Sequence, residues 1–125
     1  KVVDGDTIDV DIDLGFDISF SSRVRLAGID TPESRTVDKI EKALGLESKE
    51  YLKKAIDGSK TVVIKTEKMD SSEKYGRILG WIFIDDQLVS INDQMINDGY
   101  AWGYLGDTKV KDYEVLAKAR KKSGK

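Results

Sequence analysis

A cation and two carboxylates gather in Arg25-Leu26-Ala27-Gly28-Ile29-Asp30-Thr31-Pro32-Glu33, at the end of an apolar segment. Val24, Leu26 and Gly28 alternate with Arg23, Arg25 and Ala27, the period of a strand, so Arg25 is expected on the side opposite Leu26. Pro32 ends that strand: it has no N–H to donate and turns Thr31 away from helical geometry. What remains is a fixed turn carrying Asp30 and Glu33. Two carboxylates beside an arginine suit a divalent cation and an anionic substrate better than they suit a core. Arg77, after Lys74-Tyr75-Gly76, is a second arginine at the mouth of a strand.

Composition narrows the chemistry further. The 125 residues contain neither cysteine nor histidine, which removes disulfides, thiolate metal sites, cysteine nucleophiles and imidazole bases. Carboxylate, hydroxyl, lysine, tyrosine and arginine chemistry survives. With 21 Lys plus Arg against 23 Asp plus Glu, the net charge of −2 provides no global attraction to a polyanion, so any such site must be local. No apolar run approaches the roughly 20 residues of a membrane span, and no signal peptide is visible; the compartment is undetermined. The length is that of one domain, expected to cover residues 1–125, and nothing in the composition predicts an oligomer, so a monomer is expected.

The elements that must position these residues follow from the patterning. Val2 to Leu14 reads as one long strand kinked near Gly5, in which Ile8, Val10, Ile12 and Leu14 alternate with Asp9, Asp11 and Asp13. Those aspartates are expected on a solvated strand face; an EF-hand loop would need glycine where Leu14 stands. Phe16, Ile18 and Phe20 continue the alternation into the Arg25 strand, completing a β-meander. The polar run Ser34 to Lys42 has no usable period and reads as a surface loop. Leu44, Tyr51, Leu52, Ala55 and Ile56 share a helical face ended by Gly58, and Thr61–Thr66 and Ile78–Ile84 are strands. Ser90 with Asp93 resembles a capping box for a helix through Ile91, Met95 and Ile96. Tyr100, Trp102 and Tyr104 alternate in an extended segment, and Asp107 or Thr108 caps a last helix with Val110, Tyr113, Leu116 and Ala117 on its apolar face. This order predicts an α+β domain: a five-stranded barrel of OB type with about three packed helices.

Three motifs in order, Val3-Asp4-Gly5-Asp6-Thr7, Arg25 to Glu33 and Lys74-Tyr75-Gly76-Arg77, give the chain a resemblance to the staphylococcal nuclease (thermonuclease) family from about Val2 to Leu116. The resemblance implies a calcium-dependent, endonucleolytic phosphodiesterase. Its substrates would be DNA and RNA, preferably single-stranded or frayed, and its products would carry 3′-phosphate and 5′-hydroxyl ends. Position by position, it implies Asp6, Asp30 and the Thr31 carbonyl as calcium ligands and Glu33 as the general base. Arg25 and Arg77 would hold the phosphate, with Lys74 and Tyr75 on a substrate phosphate and Tyr104 near the nucleoside. The chain departs from the family pattern in a longer first hairpin, in Trp102 and Tyr104 where a tyrosine pair often lies, and in a first strand that starts late.

Each residue also has a plainer reading. Asp6 also fits as a turn aspartate beside Gly5, Asp30 and Glu33 fit as cap and surface groups around Pro32, and Arg23 competes with Arg25 on the same strand face. Arg77 fits a surface ion pair, and Trp102 and Tyr104 fit a core as well as a stacking platform. Two other functions stay open: a non-catalytic OB-type module binding nucleic acid or protein, and a calcium-stabilised structural module. Five polar positions occurring together favour the enzyme, because a binder gains nothing from carboxylates against a phosphate backbone unless a cation neutralises them.

Overall fold

The computed structural model describes residues 1–67, 78–104 and 112–122. Two short strands, β1 (Val2–Asp4) and β2 (Thr7–Asp13), are followed by β3 (Ser19–Leu26), β4 (Ile29–Asp30), the long helix α1 (Lys39–Asp57), β5 (Val62–Glu67) and β6 (Ile78–Ile84). Helix α2 (Ile91–Asn97), strand β7 (Trp102–Gly103) and helix α3 (Tyr113–Lys122) complete an α+β fold. The main sheet is mixed, in the order β1-β2-β3-β6-β5, and β4 pairs with β7 in a two-stranded sheet. Among the described residues only the β3–β6 pair of the main sheet is parallel, with Arg25 opposite Leu79.

The first segment corrects the expectation of one kinked strand. Val2 lies opposite Ile8 and Asp4 opposite Thr7, so Gly5-Asp6 reverses the chain and makes a hairpin. The next turn also differs. Gly15, Phe16 and Asp17 all have positive φ, and Phe16 is 98% exposed, so the expected strand alternation begins only at Ser19. The three aspartates of β2 do stand on a strand: Asp9 bonds Arg23, Asp11 accepts from Ser21, and Asp13 accepts the Gly15 N–H. A cleft of about 760 Å³ lies between β2, β3, β5 and the end of α1, lined by Ile8, Val10, Ile56, Val62 and Ile64 among others.

Helix α1 starts earlier than the polar run suggested. Asp38 accepts from the Ile40 and Glu41 N–H groups at the helix N-terminus, and Gly58 ends it. The core fills the space between sheet and helices with Ile8, Val24, Leu26, Ile29, Leu52, Ile82, Ile84, Ile91 and Met95. Ser90 caps α2 through the Asp93 N–H, as its spacing predicts. On α3, Leu116 is buried but Ala117 is exposed; the expected Asp107 or Thr108 cap and Val110 lie outside the described residues. Trp102 is a core residue, 7% exposed, its indole N–H on the Asp112 carbonyl and its ring 5.9 Å from Tyr113. No helix among the described residues is long and apolar enough to cross a membrane.

Candidate metal and phosphate site

Three of the sequence-selected residues, Asp6, Arg25 and Asp30, meet beside the end of β3. The Asp6 carbonyl accepts the Leu26 N–H at 2.8 Å, which sets the first turn against the end of β3 and puts Asp6 beside Arg25. After Leu26 the chain turns at Gly28, whose φ of +75° suits glycine, and where a Cβ would stand 2.7 Å from the Trp81 ring. That turn swings the Ile29 carbonyl back toward β3. Arg25 Nη1 therefore donates to two carbonyls of its own chain, Leu26 at 2.8 Å and Ile29 at 2.9 Å.

Pinning one nitrogen aims the other. Arg25 Nη2 lies 3.5 Å from an Asp6 carboxylate oxygen and 3.6 Å from one of Asp30, with all three side chains at least 86% buried. These are ion-pair separations, and Nη2 is buried without a hydrogen-bond partner. Two acids against one guanidinium leave a net negative charge in a nearly dry site, and an orphaned N–H points into the gap between them. A bound cation would offset the first and an anionic oxygen the second. The donors are all oxygen, which fits a hard divalent ion, and Thr31, 3% exposed, follows Asp30 directly. No three His, Cys, Asp or Glu side chains form a metal cage among the described residues. Asp6 and Asp30 with a carbonyl thus fit a shell completed by water and substrate.

Arg23 is a different kind of residue. Its Nε and Nη2 donate to both Asp9 oxygens at 2.8 and 3.2 Å on an exposed face. That bond holds the Asp9 carboxyl below the usual carboxylate range and pushes Arg23 further up. The Arg23 fork is engaged by Asp9 on an exposed face, where water can reach its remaining N–H groups. The 760 Å³ cleft that this pair borders contains none of Asp6, Arg25 and Asp30.

Glu33 follows the buried Pro32 and is exposed, and no contact joins its side chain to Arg25 among the described residues. Its backbone, however, is tightly held. Glu41 of α1, 6% exposed, accepts the Glu33 N–H at 3.1 Å. The next residue, Ser34, donates to Asp4 at 2.7 Å, and the same Asp4 oxygen accepts the Gly5 N–H at 2.9 Å. Tyr104 lies across from the site: β7 pairs Trp102 with Asp30, and the Tyr104 N–H donates to the Gly28 carbonyl at 2.8 Å. Lys74, Tyr75 and Arg77 lie outside the described residues.

Sequence reading missed the residues that only support others. Asp4, Ser34 and Glu41 brace the Pro32 turn, and the spacing Asp38-x-x-Glu41 was the available signal for a helix start there. Asn92 is fully buried; its Oδ1 accepts the Ile82 N–H, and its Nδ2 donates to the Ala27 and Gly80 carbonyls at 2.8 and 3.0 Å. It ties α2 to the strand end that carries Arg25.

Residues 23–125 match the family model described as "Staphylococcal nuclease homologue". Among individual proteins, the chain is 28% identical over 130 residues to an uncharacterised protein of Methanocaldococcus jannaschii, covering 90% of this chain and 60% of that one. It is 32% identical over 134 residues to protein ParB of Escherichia coli, covering 100% of this chain and 66% of ParB. It is also 32% identical over 131 residues to the micrococcal nuclease of Shigella flexneri, with 97% and 67% covered. The chain thus spans about two thirds or less of the length of these relatives.

Proposed function

We propose, for a chain that belongs to the family of staphylococcal nuclease homologues, that it is a calcium-dependent nuclease hydrolysing phosphodiester bonds of DNA and RNA. The observation that carries this reading is the buried, unpartnered Arg25 Nη2 aimed between the Asp6 and Asp30 carboxylates. The micrococcal nuclease relative supports the substrate class.

In this reading Asp6, Asp30 and the Thr31 carbonyl hold calcium, which when bound neutralises the acids and polarises a phosphoryl oxygen. Arg25 keeps Nη1 on its two carbonyls and donates Nη2 to a non-bridging phosphate oxygen. A pinned guanidinium needs no reorganisation as charge builds on the equatorial oxygens, and its planar fork suits them where a lysine ammonium does not. Glu33, exposed where water can reach it, takes a proton from the attacking water as the P–O bond forms. As the P–O5′ bond breaks, the 5′ oxygen takes a proton from solvent water and leaves as a hydroxyl, with Arg77 nearer that side, and the phosphate stays on the 3′ end. Lys74 and Tyr75 contact a substrate phosphate, and Tyr104 sits near the nucleoside. Cleavage is endonucleolytic.

The test uses single-stranded DNA and RNA with the purified chain, in calcium or in chelator, beside Glu33→Gln. Calcium-dependent cleavage to 3′-phosphate ends, reduced about a hundredfold or more by Glu33→Gln, is expected for a general base. Salt-sensitive binding without cleavage in any divalent metal would instead place the chain among non-catalytic nucleic-acid modules.

A further inference from the structure

We infer that Glu41 is a positioning residue for Glu33, an inference that rests on the nuclease reading and names the group that holds its base in place. A glutamate buried at the start of a helix is costly unless it is bonded, and on an exposed surface the same residue would cost nothing. Glu41 is 6% exposed, and its Oε2 accepts the backbone N–H of Glu33 at 3.1 Å. Glu41 stands three residues after the capping Asp38, and its side chain bonds across to the turn. A charged acceptor on an N–H makes one of the stronger backbone contacts available.

The same helix face presses on the same peptide from a second position. A Cβ on Gly45 would stand 2.5 Å from both the carbonyl carbon and oxygen of Glu33 and 2.6 Å from the Ser34 nitrogen, so α1 lies directly on this backbone. On the far side, Ser34 is bonded to Asp4 in the hairpin turn that delivers Asp6. Glu33 is thus exposed in its side chain and fixed in its main chain, between the helix and the acid-bearing turn. A mobile carboxylate needs such an anchor if it is to meet a water at a defined distance from the phosphate. In this arrangement Glu41 acts through the main chain of Glu33.

The experiment compares wild type, Glu41→Ala and Glu41→Gln, each also in the Glu33→Gln background, by cleavage kinetics on an oligonucleotide and by amide hydrogen exchange at Glu33. Glu41→Ala is expected to speed exchange of the Glu33 amide and to lower kcat by about 10–100-fold, the range for groups that orient a functional residue, with KM little changed. Glu41→Gln, which retains an oxygen acceptor, restores slow exchange and most of kcat. In the Glu33→Gln background, Glu41→Ala costs no further rate, since the group it positions is already gone. Unchanged Glu33 exchange in Glu41→Ala overturns the inference. So does full activity of Glu41→Ala, or rate losses that multiply in the double variant. A wild-type chain that cleaves nothing overturns the nuclease reading and the catalytic half of this inference together, while the exchange measurement still decides whether Glu41 holds the turn.

Discussion

Arg25 owes its orientation to its own backbone. Two carbonyls take Nη1, which leaves Nη2 among carboxylates that it approaches without hydrogen-bonding. Lysine at this position has no second nitrogen to pin, so Arg25→Lys keeps the charge and loses the aim; a cleavage rate lower by about 10²–10³-fold is expected, as for removal of one oxyanion donor. Steady-state kinetics on a short oligonucleotide check it, and a near-normal rate would show that charge alone suffices. The acids give a second outcome that does not depend on turnover. Calcium at a hundredfold excess over its Kd is expected to stabilise the wild-type chain by about 2.7 kcal/mol. Asp30→Asn removes one of two ligand charges and is expected to abolish most of that gain in a calorimetric melt, while unfolding in chelator changes little. A calcium shift that survives Asp30→Asn would place the cation elsewhere.

At the scale of elements, α1 shows both what patterning reveals and what it hides. Its C-terminal half announces itself through Tyr51, Leu52, Ala55 and Ile56, which pack on the core. Its N-terminal half buries Glu41, Gly45 and Ser48, a face of small and polar residues that carries no hydrophobic period. The run Ser34 to Lys42 therefore read as loop, and the Glu41 bond to Glu33 stayed invisible because only tertiary contact creates it. The Gly5-Asp6 turn hides for another reason: a bulge and a tight reversal use the same residue types, and pairing alone tells them apart. At Phe16 an apolar residue continued an alternation that the chain had already abandoned for a turn. The Arg25–Glu33 cluster was legible because one strand and one proline fix it locally. Gly45 tests the packing that was not. In an exposed helix, Gly→Ala gains about 1 kcal/mol of helix propensity. Here the added methyl meets the Glu33 carbonyl at 2.5 Å, so the sign is expected to reverse. Gly45→Ala should lose about 1–3 kcal/mol in urea denaturation, as overpacking does; a stabilised variant would mean that α1 rides higher over the turn than described.

Across the whole molecule, the three helices are locked to one another by a polar and aromatic chain on the side of α1 that faces α2 and α3. Tyr51 of α1 donates its hydroxyl to Asp98, the C-terminal cap of α2, at 2.6 Å, and its ring stacks on Tyr100 at 4.7 Å. Arg120 of α3 covers the other side of Tyr100 at 4.2 Å and donates to the Gly99 carbonyl. Through Ser48, which donates to the Tyr100 carbonyl at 2.6 Å, this assembly reaches the helix face that braces the Pro32 turn. Half-burial of its ring and then the Asp98 carboxylate push the Tyr51 phenol well above its ordinary value. The sign follows from the proton count. The unfolded chain releases this proton near pH 10, while the folded chain keeps it, so between those two pKa values folding stability falls as pH rises. Below about pH 10 the contribution is intact and independent of pH. Tyr51→Phe removes the titrating group and one hydrogen bond: it is expected to lower stability at neutral pH by about 0.5–1.5 kcal/mol and to flatten the alkaline decline relative to wild type. Denaturation curves for both chains between pH 7 and 11 measure the difference, in which the other tyrosines and the lysines cancel. Parallel declines would mean that the Tyr51 hydroxyl does not lock α1 to α2.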